Sequence, residues 1–272
     1  MVELTHQQKE SAFEDICLSA KDIQINRIGL RDLWQSLREG YDDYGAKPSS
    51  IALLILFYFL FALVFSLFAF GQEMRYLVFP MVAGFNLIGP IVAIAFFEMS
   101  RRREKGLDMN WRSSFRFIHT HSFAPILALS FLMMVLYVSW VYMAELIYFG
   151  LFGENPPSSM ADFINQVLTT RRGGALIAYG NFVGFLFAFA AMALSVVAFP
   201  LALDKPVTAM TAITVSIKAF SLNVYVLAVW GIVVVVFIAL GAALFLIGLA
   251  VALPILGHAT WHLYRKIVVN QS

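Results

Sequence analysis

Five side chains have the types and the spacing to bind a metal ion. His258 and His262 are four residues apart, so in a helix they share one face and can ligate the same ion. His119 and His121 lie near the start of another predicted membrane-spanning helix, and Glu98 lies at the end of the one before it. If these helix ends are adjacent, a histidine of that pair and the Glu98 carboxylate can complete a site for a transition metal or a haem iron. The predicted metal ligands are therefore His258, His262, His119, His121 and Glu98.

The same four histidines also have an ordinary interpretation. They fall at the predicted cytoplasmic ends of membrane spans, where a ring with an apolar body and a polar tip is well placed. The single Cys17 excludes an internal disulfide and any cysteine-based zinc or iron–sulfur site. We recognise no pair of catalytic carboxylates, no serine or cysteine nucleophile with a base, and no glycine-rich phosphate loop. We therefore expect no enzymatic activity, and no cofactor other than a haem or a transition metal at the histidines.

Few polar groups lie at depth in the predicted spans. The only charged residue is Glu145, near the outer end of the third span. Ion-coupled transporters generally need ionisable or coordinating groups near mid-membrane. Asn86 and Asn181 are the best polar candidates there, but a buried asparagine more often bonds to a neighbouring helix than to a substrate. Gly180 and Gly184 form a G-x-x-x-G pair that allows close helix packing.

The apolar character of the chain indicates that membrane-spanning helices position the candidate residues named above. Hydrophobic residues make up 60% of the chain, charged residues only 13%, and the mean hydropathy is +0.78. That composition is typical of a membrane protein, and the net charge of +2 is too small to indicate nucleic-acid binding. The C-terminal run 222–264 is about twice the length of one crossing, which takes about 20 residues. Gly241 lies near its middle, where a turn would need it.

We predict an all-α, polytopic membrane protein with six transmembrane helices. The helices form three hairpins, each preceded by an interfacial amphipathic helix. A polar tail, 1–27, precedes the membrane domain, 28–272. The predicted spans are about 51–70, 76–97, 123–148, 175–203, 222–240 and 242–264.

Three segments have the spacing of amphipathic helices that lie in a membrane interface. Each carries a stripe of apolar or aromatic residues with polar residues on the other side. The stripes are Leu30, Leu33, Trp34, Leu37, Tyr41 and Tyr44; Trp111, Phe115 and Ile118; and Met210, Ile213, Ile217 and Phe220. A further short helix is predicted in the long loop 151–175, where Ser159 and Asp162 fit a capping box.

The distribution of basic residues predicts the orientation of the spans. Of the 19 lysines and arginines, only Arg75, Arg171 and Arg172 fall on the side opposite the termini. An even number of spans places both termini on one side, and the excess of positive charge marks that side as cytoplasmic. We therefore predict cytoplasmic N- and C-termini in a bacterial inner membrane.

Two stretches carry a resemblance to a known family. One is the ending Leu253–Val268 with its pattern Gly-His-Ala-Thr-Trp-His-x-Tyr-Arg, and the other is Leu33-Trp34 through Gly40-Tyr41-Asp42-Asp43. They resemble a bacterial family of predicted integral membrane proteins catalogued as a domain of unknown function (number two-one-eight-nine). The resemblance implies a multi-spanning inner-membrane protein. Some relatives are labelled subunit I of cytochrome c oxidase, but that subunit needs several histidines inside its spans, and this chain has five, none of them at mid-span.

These observations lead to an expected function. The spans lack charge and the chain contains 26 phenylalanines, so wide apolar faces remain for lipid or for a neighbouring protein. We expect a non-enzymatic accessory or assembly component of a larger inner-membrane complex, such as a respiratory one. Its partners would be the lipid bilayer and a membrane protein or a second copy of the chain, without nucleic acid. The alternatives are a small uncoupled transporter or channel, and a haem- or metal-binding redox protein.

Overall fold

The structure, a computed structural model, describes residues 17–46, 76–84, 89–153, 157–243 and 248–269. These residues form ten α-helices, a 3-10 helix (Trp111–His119) and an isolated β-bridge between Ile25 and Val268, so the predicted all-α class holds for them. The α-helices are α1 (Leu30–Ala46), α2 (Val78–Gly84), α3 (Gly89–Glu104), α4 (Phe123–Phe152), α5 (Met160–Thr169), α6 (Arg171–Ser195), α7 (Ala198–Asp204), α8 (Ala209–Leu222), α9 (Val224–Ala243) and α10 (Leu249–Ile267).

Three stretches of described helix are long and apolar enough to cross a membrane. They are α4, α6 together with α7 (Arg171–Asp204), and α9. They correspond to the predicted spans at about 123–148, 175–203 and 222–240.

The other three predicted spans have different outcomes. The first, about 51–70, lies outside the described residues, as does Asn86. The second corresponds to α2 and α3, with residues 85–88 between them not described. The sixth, about 242–264, corresponds to the 19-residue α10, which is not among the helices that meet the criterion of length and hydropathy. The six-span, three-hairpin arrangement therefore stays a prediction.

The chain divides into two compact units. Unit 1 comprises Met1–Ile51, Ala93–Leu129 and Ala193–Ser272, and unit 2 comprises Ala52–Val92 and Ser130–Met192.

Aromatic side chains form the core of unit 2. Tyr76 stacks on Tyr148 with 4.2 Å between the ring centroids. Trp140 donates a hydrogen bond from Nε1 to the carbonyl oxygen of Pro80, at 2.7 Å. Gly84 lies against the same indole, where a Cβ would be only 2.3 Å from Cδ1 of Trp140. The absence of a side chain at this glycine therefore lets α2 approach α4 closely.

A side-chain cap begins one short helix in each unit. Ser159 is the N-cap of α5 and accepts a hydrogen bond from the backbone N–H of Asp162 at 3.0 Å, which confirms the predicted cap. Thr208 caps α8 in the same way through the N–H of Thr211. Each cap satisfies a backbone donor that has no partner within its helix.

The fourth predicted span is interrupted before Pro200. Proline has no N–H and its ring clashes with the carbonyl four residues earlier, so the helix breaks between α6 and α7. Ser216 of α8 compensates for the break. Its hydroxyl accepts a hydrogen bond from the N–H of Val197 at 3.3 Å and donates one to the carbonyl of Ala193 at 2.9 Å. The buried backbone at the break therefore keeps its hydrogen bonds.

The buried faces of two predicted interfacial helices consist mainly of small residues rather than large ones. Helix α1 buries Leu33, Ser36, Gly40 and Asp43, whereas Trp34 and Tyr41 are 57% and 62% exposed. Helix α8 buries Ala212, Val215, Ser216, Ala219 and Phe220, whereas Met210 is 71% exposed. Small side chains let helices approach closely, and in lipid the large apolar ones need not turn inward. The middle interfacial segment is the 3-10 helix rather than an α-helix.

Candidate functional site

Helix α10 is the centre of unit 1 and is buried on nearly all sides. Trp261, Leu263 and Tyr264 are at most 1% exposed. Helix α1 packs along α10 at Gly40, where a Cβ would lie 2.5 Å from the backbone nitrogen of Ala259. Helix α3 crosses α10 at Gly257, where a Cβ would lie 2.8 Å from Cβ of Phe96. Two glycines, one on α1 and one on α10, therefore allow three helices to meet.

A polar cluster is buried where these three helices meet, and we call Asp43, Ser100, His258 and His262 the buried cluster. Ser100 and His258 lie 2.8 Å apart between Oγ and Nδ1. Nε2 of His262 is 2.9 Å from Oδ2 of Asp43. The Asp43 carboxylate also accepts hydrogen bonds from Ser100 and from Arg103. Asp43, Ser100 and His258 are at most 3% exposed and are thus withdrawn from water, whereas the His262 side chain is 15% exposed.

The hydrogen bonds assign the protons within the cluster. Since the Ser100 hydroxyl donates to Asp43, its oxygen is the acceptor for the N–H at Nδ1 of His258. His262 donates from Nε2 to the same carboxylate. When the His258 ring is neutral, this assignment leaves its Nε2 without a proton, and that nitrogen makes no hydrogen bond to any described residue.

Asp43 is the charged centre of the cluster. Burial on its own raises the pKa of a carboxyl group, but hydrogen bonds from His262 and Ser100, together with the charges of the two histidines, lower the pKa of Asp43 from 3.8 to about 2. Arg103 completes the compensation through its ion pair with the same carboxylate. A buried anion with these donors stays ionised at neutral pH.

A second set of charged groups surrounds the C-terminal part of α10. Lys266 pairs with Glu39 of α1 at 2.5 Å, and Arg265 pairs with Glu104 of α3 at 3.3 Å and with Asp204 of α7 at 3.3 Å. The pairs are partly exposed, so each alone contributes little to stability. Together they join α10 to three other helices.

Two buried aromatic side chains of α10 bond to the same acids. Trp261 donates from Nε1 to Glu104 at 3.0 Å, and the Tyr264 hydroxyl donates to Asp204 at 2.9 Å. Trp261 and Tyr264 are thus structural residues that fix the end of α10 to its neighbours.

The structure brings together two of the five predicted metal ligands. His258 and His262 meet at Asp43, whereas His119 at the end of the 3-10 helix and His121 just after it are exposed. Glu98 is buried and pairs with Arg101, 2.7 Å away. Within the described ranges no group of three or more His, Cys, Asp or Glu side chains fits a metal ion. The metal site stays a prediction. In the structure His258 contacts Ser100, and His262 contacts Asp43.

Ser100, although close to a histidine and an aspartate, is not arranged as a nucleophile. In acyl-transfer triads the histidine lies between the serine and the carboxylate, so that it can take the serine proton. Here Ser100 lies between His258 and Asp43 and donates its proton to the carboxylate. Its side chain is also completely buried.

The polar groups predicted at depth in unit 2 have local partners. Glu145 accepts a hydrogen bond from the Tyr76 hydroxyl at 3.1 Å. Asn181 donates to the carbonyl of Ile177 in its own helix at 2.7 Å, with its residue exposed on the outside of α6. Gly184 lies against Trp140, whereas nothing lies within 4 Å of a Cβ placed at Gly180. Only one glycine of the predicted pair therefore serves helix packing within the described chain.

Sequence analysis missed Asp43 and Ser100 as members of the site. A signal was present, because Ser36, Gly40 and Asp43 share one helical face and two of them are small enough for close contact. The pattern does not show which helix that face meets.

Similarity to known proteins supports the membrane class of this fold. Residues 78–204 match the model of DUF2189, a family described as a predicted integral membrane protein. The match covers α2 to α7 and includes neither the C-terminal pattern nor the segment around Leu33 on which the sequence resemblance rests. No curated protein and no solved structure matches the chain.

Proposed function

We propose that this chain is a non-enzymatic accessory or assembly component of a larger membrane complex in the inner membrane of a bacterium, with both termini in the cytoplasm. One observation carries the proposal: the candidate spans bury little of their apolar surface within the chain. Only 22% of the apolar stretch of α4, 33% of that of α6 with α7, and 22% of that of α9 is buried. Among the described residues little covers the remaining faces, which suits contact with lipid or with another protein.

The exposed faces contain large side chains that can anchor a protein neighbour. Phe131 on α4 is 70% exposed, Phe185 on α6 is 62% exposed, and Val235 on α9 is 66% exposed. Aromatic residues dominate the binding energy of protein interfaces. Polar groups of the buried cluster, in contrast, are engaged with one another and serve to hold α1, α3 and α10 as one body. Unit 1 thus has a polar interior, and the candidate spans keep exposed apolar faces, which suits a scaffold subunit.

Site-specific photo-crosslinking tests the proposal. A photoreactive amino acid is placed at Phe131, Phe185 or Val235 in the full chain, expressed at its native level in intact membranes. We expect a discrete protein adduct from one helix face, identified by mass spectrometry, and lipid adducts from the others. As a control, the same photoreactive amino acid is placed at Lys21, which is exposed and lies outside the candidate spans. Lipid adducts alone at all three positions, with no protein that co-purifies in mild detergent, would refute an accessory role.

A further inference from the structure

The outward face of α1 carries a repeated pair of residue types. Arg31 is followed three residues later by Trp34, and Arg38 is followed three residues later by Tyr41. The two pairs are seven residues apart, so they lie on one helical face with about 10 Å between them along the axis. All four residues are exposed. The face opposite them is the one that packs on α10. We call Arg31, Trp34, Arg38 and Tyr41 the outer face of α1.

Contacts within unit 1 place α1 beside the end of a candidate span. Asn223 is the last residue before α9, and its side-chain oxygen accepts a hydrogen bond from the N–H of Ile28 at 2.8 Å. Its amide nitrogen donates to the carbonyl of Asn26 at 3.0 Å. The backbone just before α1 is thus fixed at the level where the α9 span begins.

A second set of contacts independently places α1 near the end of a candidate span. Helix α10, on which α1 packs, bonds through Tyr264 and Arg265 to Asp204, the last residue of the candidate span Arg171–Asp204. Two span ends therefore lie close to the elements that hold α1. A helix in this position lies near the boundary between the apolar membrane and water.

Most acidic side chains of α1 are not exposed beside the outer arginines, Arg31 and Arg38. Asp32 accepts a hydrogen bond from the N–H of Gly29 at 2.8 Å, Glu39 pairs with Lys266, and Asp43 is buried. Asp42 is exposed beside the outer face and is the exception within this helix. Against Arg31 and Arg38, Asp42 is therefore the one exposed carboxylate of α1, which leaves the outer face with a net positive charge.

We propose that the outer face of α1 binds the headgroups of anionic phospholipids. Guanidinium groups bond to phosphate in a bidentate fashion, and tryptophan and tyrosine rings favour the headgroup level of a bilayer. Arginine beside an anionic membrane surface gains further electrostatic free energy. Two Arg-aromatic pairs on one face, at the level of the span ends, supply both interactions. The site is independent of the proposed accessory role, because it concerns a different surface from the span faces.

Lipid binding by the full chain tests the site. The detergent-solubilised protein is titrated with phosphatidylglycerol or phosphatidylcholine, and bound lipids are counted by native mass spectrometry. We expect the double variant Arg31→Gln/Arg38→Gln to bind phosphatidylglycerol roughly tenfold more weakly, with little change for phosphatidylcholine. The control Lys21→Gln/Lys105→Gln removes two exposed basic residues outside the candidate spans and should keep wild-type binding. Equal phosphatidylglycerol binding by the wild type and the first variant would overturn the proposal.

A second measurement separates a lipid from a protein on this face. A photoreactive residue at Tyr41 should give phospholipid adducts in native membranes. A discrete protein adduct there would assign the outer face to a partner protein and refute the lipid site. The four side chains are exposed, so the variants should melt at the wild-type temperature, which circular dichroism can check.

Discussion

Replacing Gly40 by alanine probes a close contact between the first and the last described helix, α1 and α10. The new Cβ would lie 2.5 Å from the nitrogen of Ala259 and 2.8 Å from its Cα and Cβ. Ordinary contacts are about 3.5–4 Å, so α1 and α10 must separate by about 1 Å. Because backbone atoms lie on both sides, no side chain can rotate away to relieve the contact. The separation would also lengthen the hydrogen bonds that Asp43 receives from across the interface.

The expected loss of folding stability in Gly40→Ala is the difference between two opposing effects. Overpacking a core costs about 1–3 kcal/mol, whereas alanine in place of glycine favours a helix by about 1 kcal/mol. Since this contact is backbone to backbone, we take the upper end of the first range and expect a net loss of about 2 kcal/mol. For a chain of this size the apparent melting temperature should fall by about 5 °C.

Gly45 provides a matched control on the same helix. Nothing lies within 4 Å of a Cβ placed there, so Gly45→Ala should keep or slightly raise the melting temperature. Thermal unfolding of both variants in one detergent measures the difference, and hydrogen exchange of the α1 amides shows whether that helix is the part that loosens. If Gly40→Ala melts at or above Gly45→Ala, then α1 does not pack against α10 through this glycine.

Four further experiments address other parts of the chain. The pKa of Asp43 is about 2 in the folded protein and 3.8 in the unfolded chain, so its carboxylate stabilises the fold above about pH 4. About 2 kcal/mol of folding stability should be lost as the pH falls toward 2. Asp43→Asn should flatten this part of a pH–stability curve, and an unchanged slope would contradict the role assigned to Asp43. Ser216→Ala should lower the melting temperature by removing about 1 kcal/mol of hydrogen bonding at the break in the fourth span, whereas Ser221→Ala, exposed on the same helix, should not. A reporter fused at Ser272 should be cytoplasmic, and a periplasmic result would require an odd number of spans. Protein expressed with adequate metal and haem should show no stoichiometric metal and no Soret band, and a band that His258→Ala removes would establish the predicted metal or haem site.

Hydropathy and local spacing alone determine much of the membrane architecture. Helices α4, α6 and α9 lie where long apolar runs with almost no charge predict them, because the apolar residues of such a run favour lipid whatever their neighbours are. The cap at Ser159 is equally local, because its hydroxyl needs only the backbone three residues later. Pro200 also predicts a break in its helix from local chemistry alone, because proline has no N–H to donate. Only the fold supplies Ser216 as the group that compensates for the break.

The tertiary structure alone decides which helical faces meet and which polar groups become partners. The periodicity of α1 shows a stripe containing Trp34 and Tyr41, but the face that packs on α10 is centred on Gly40 and Asp43. In a membrane protein the large apolar residues can face outward, so hydrophobic periodicity does not identify the buried side. The histidine pair shows the same limit, because a spacing of four places His258 and His262 on one face but does not reveal that Asp43, more than 200 residues earlier, lies opposite them. A buried charge is stable only beside donors that compensate for its lost hydration, and only the packing of α1, α3 and α10 brings those donors together.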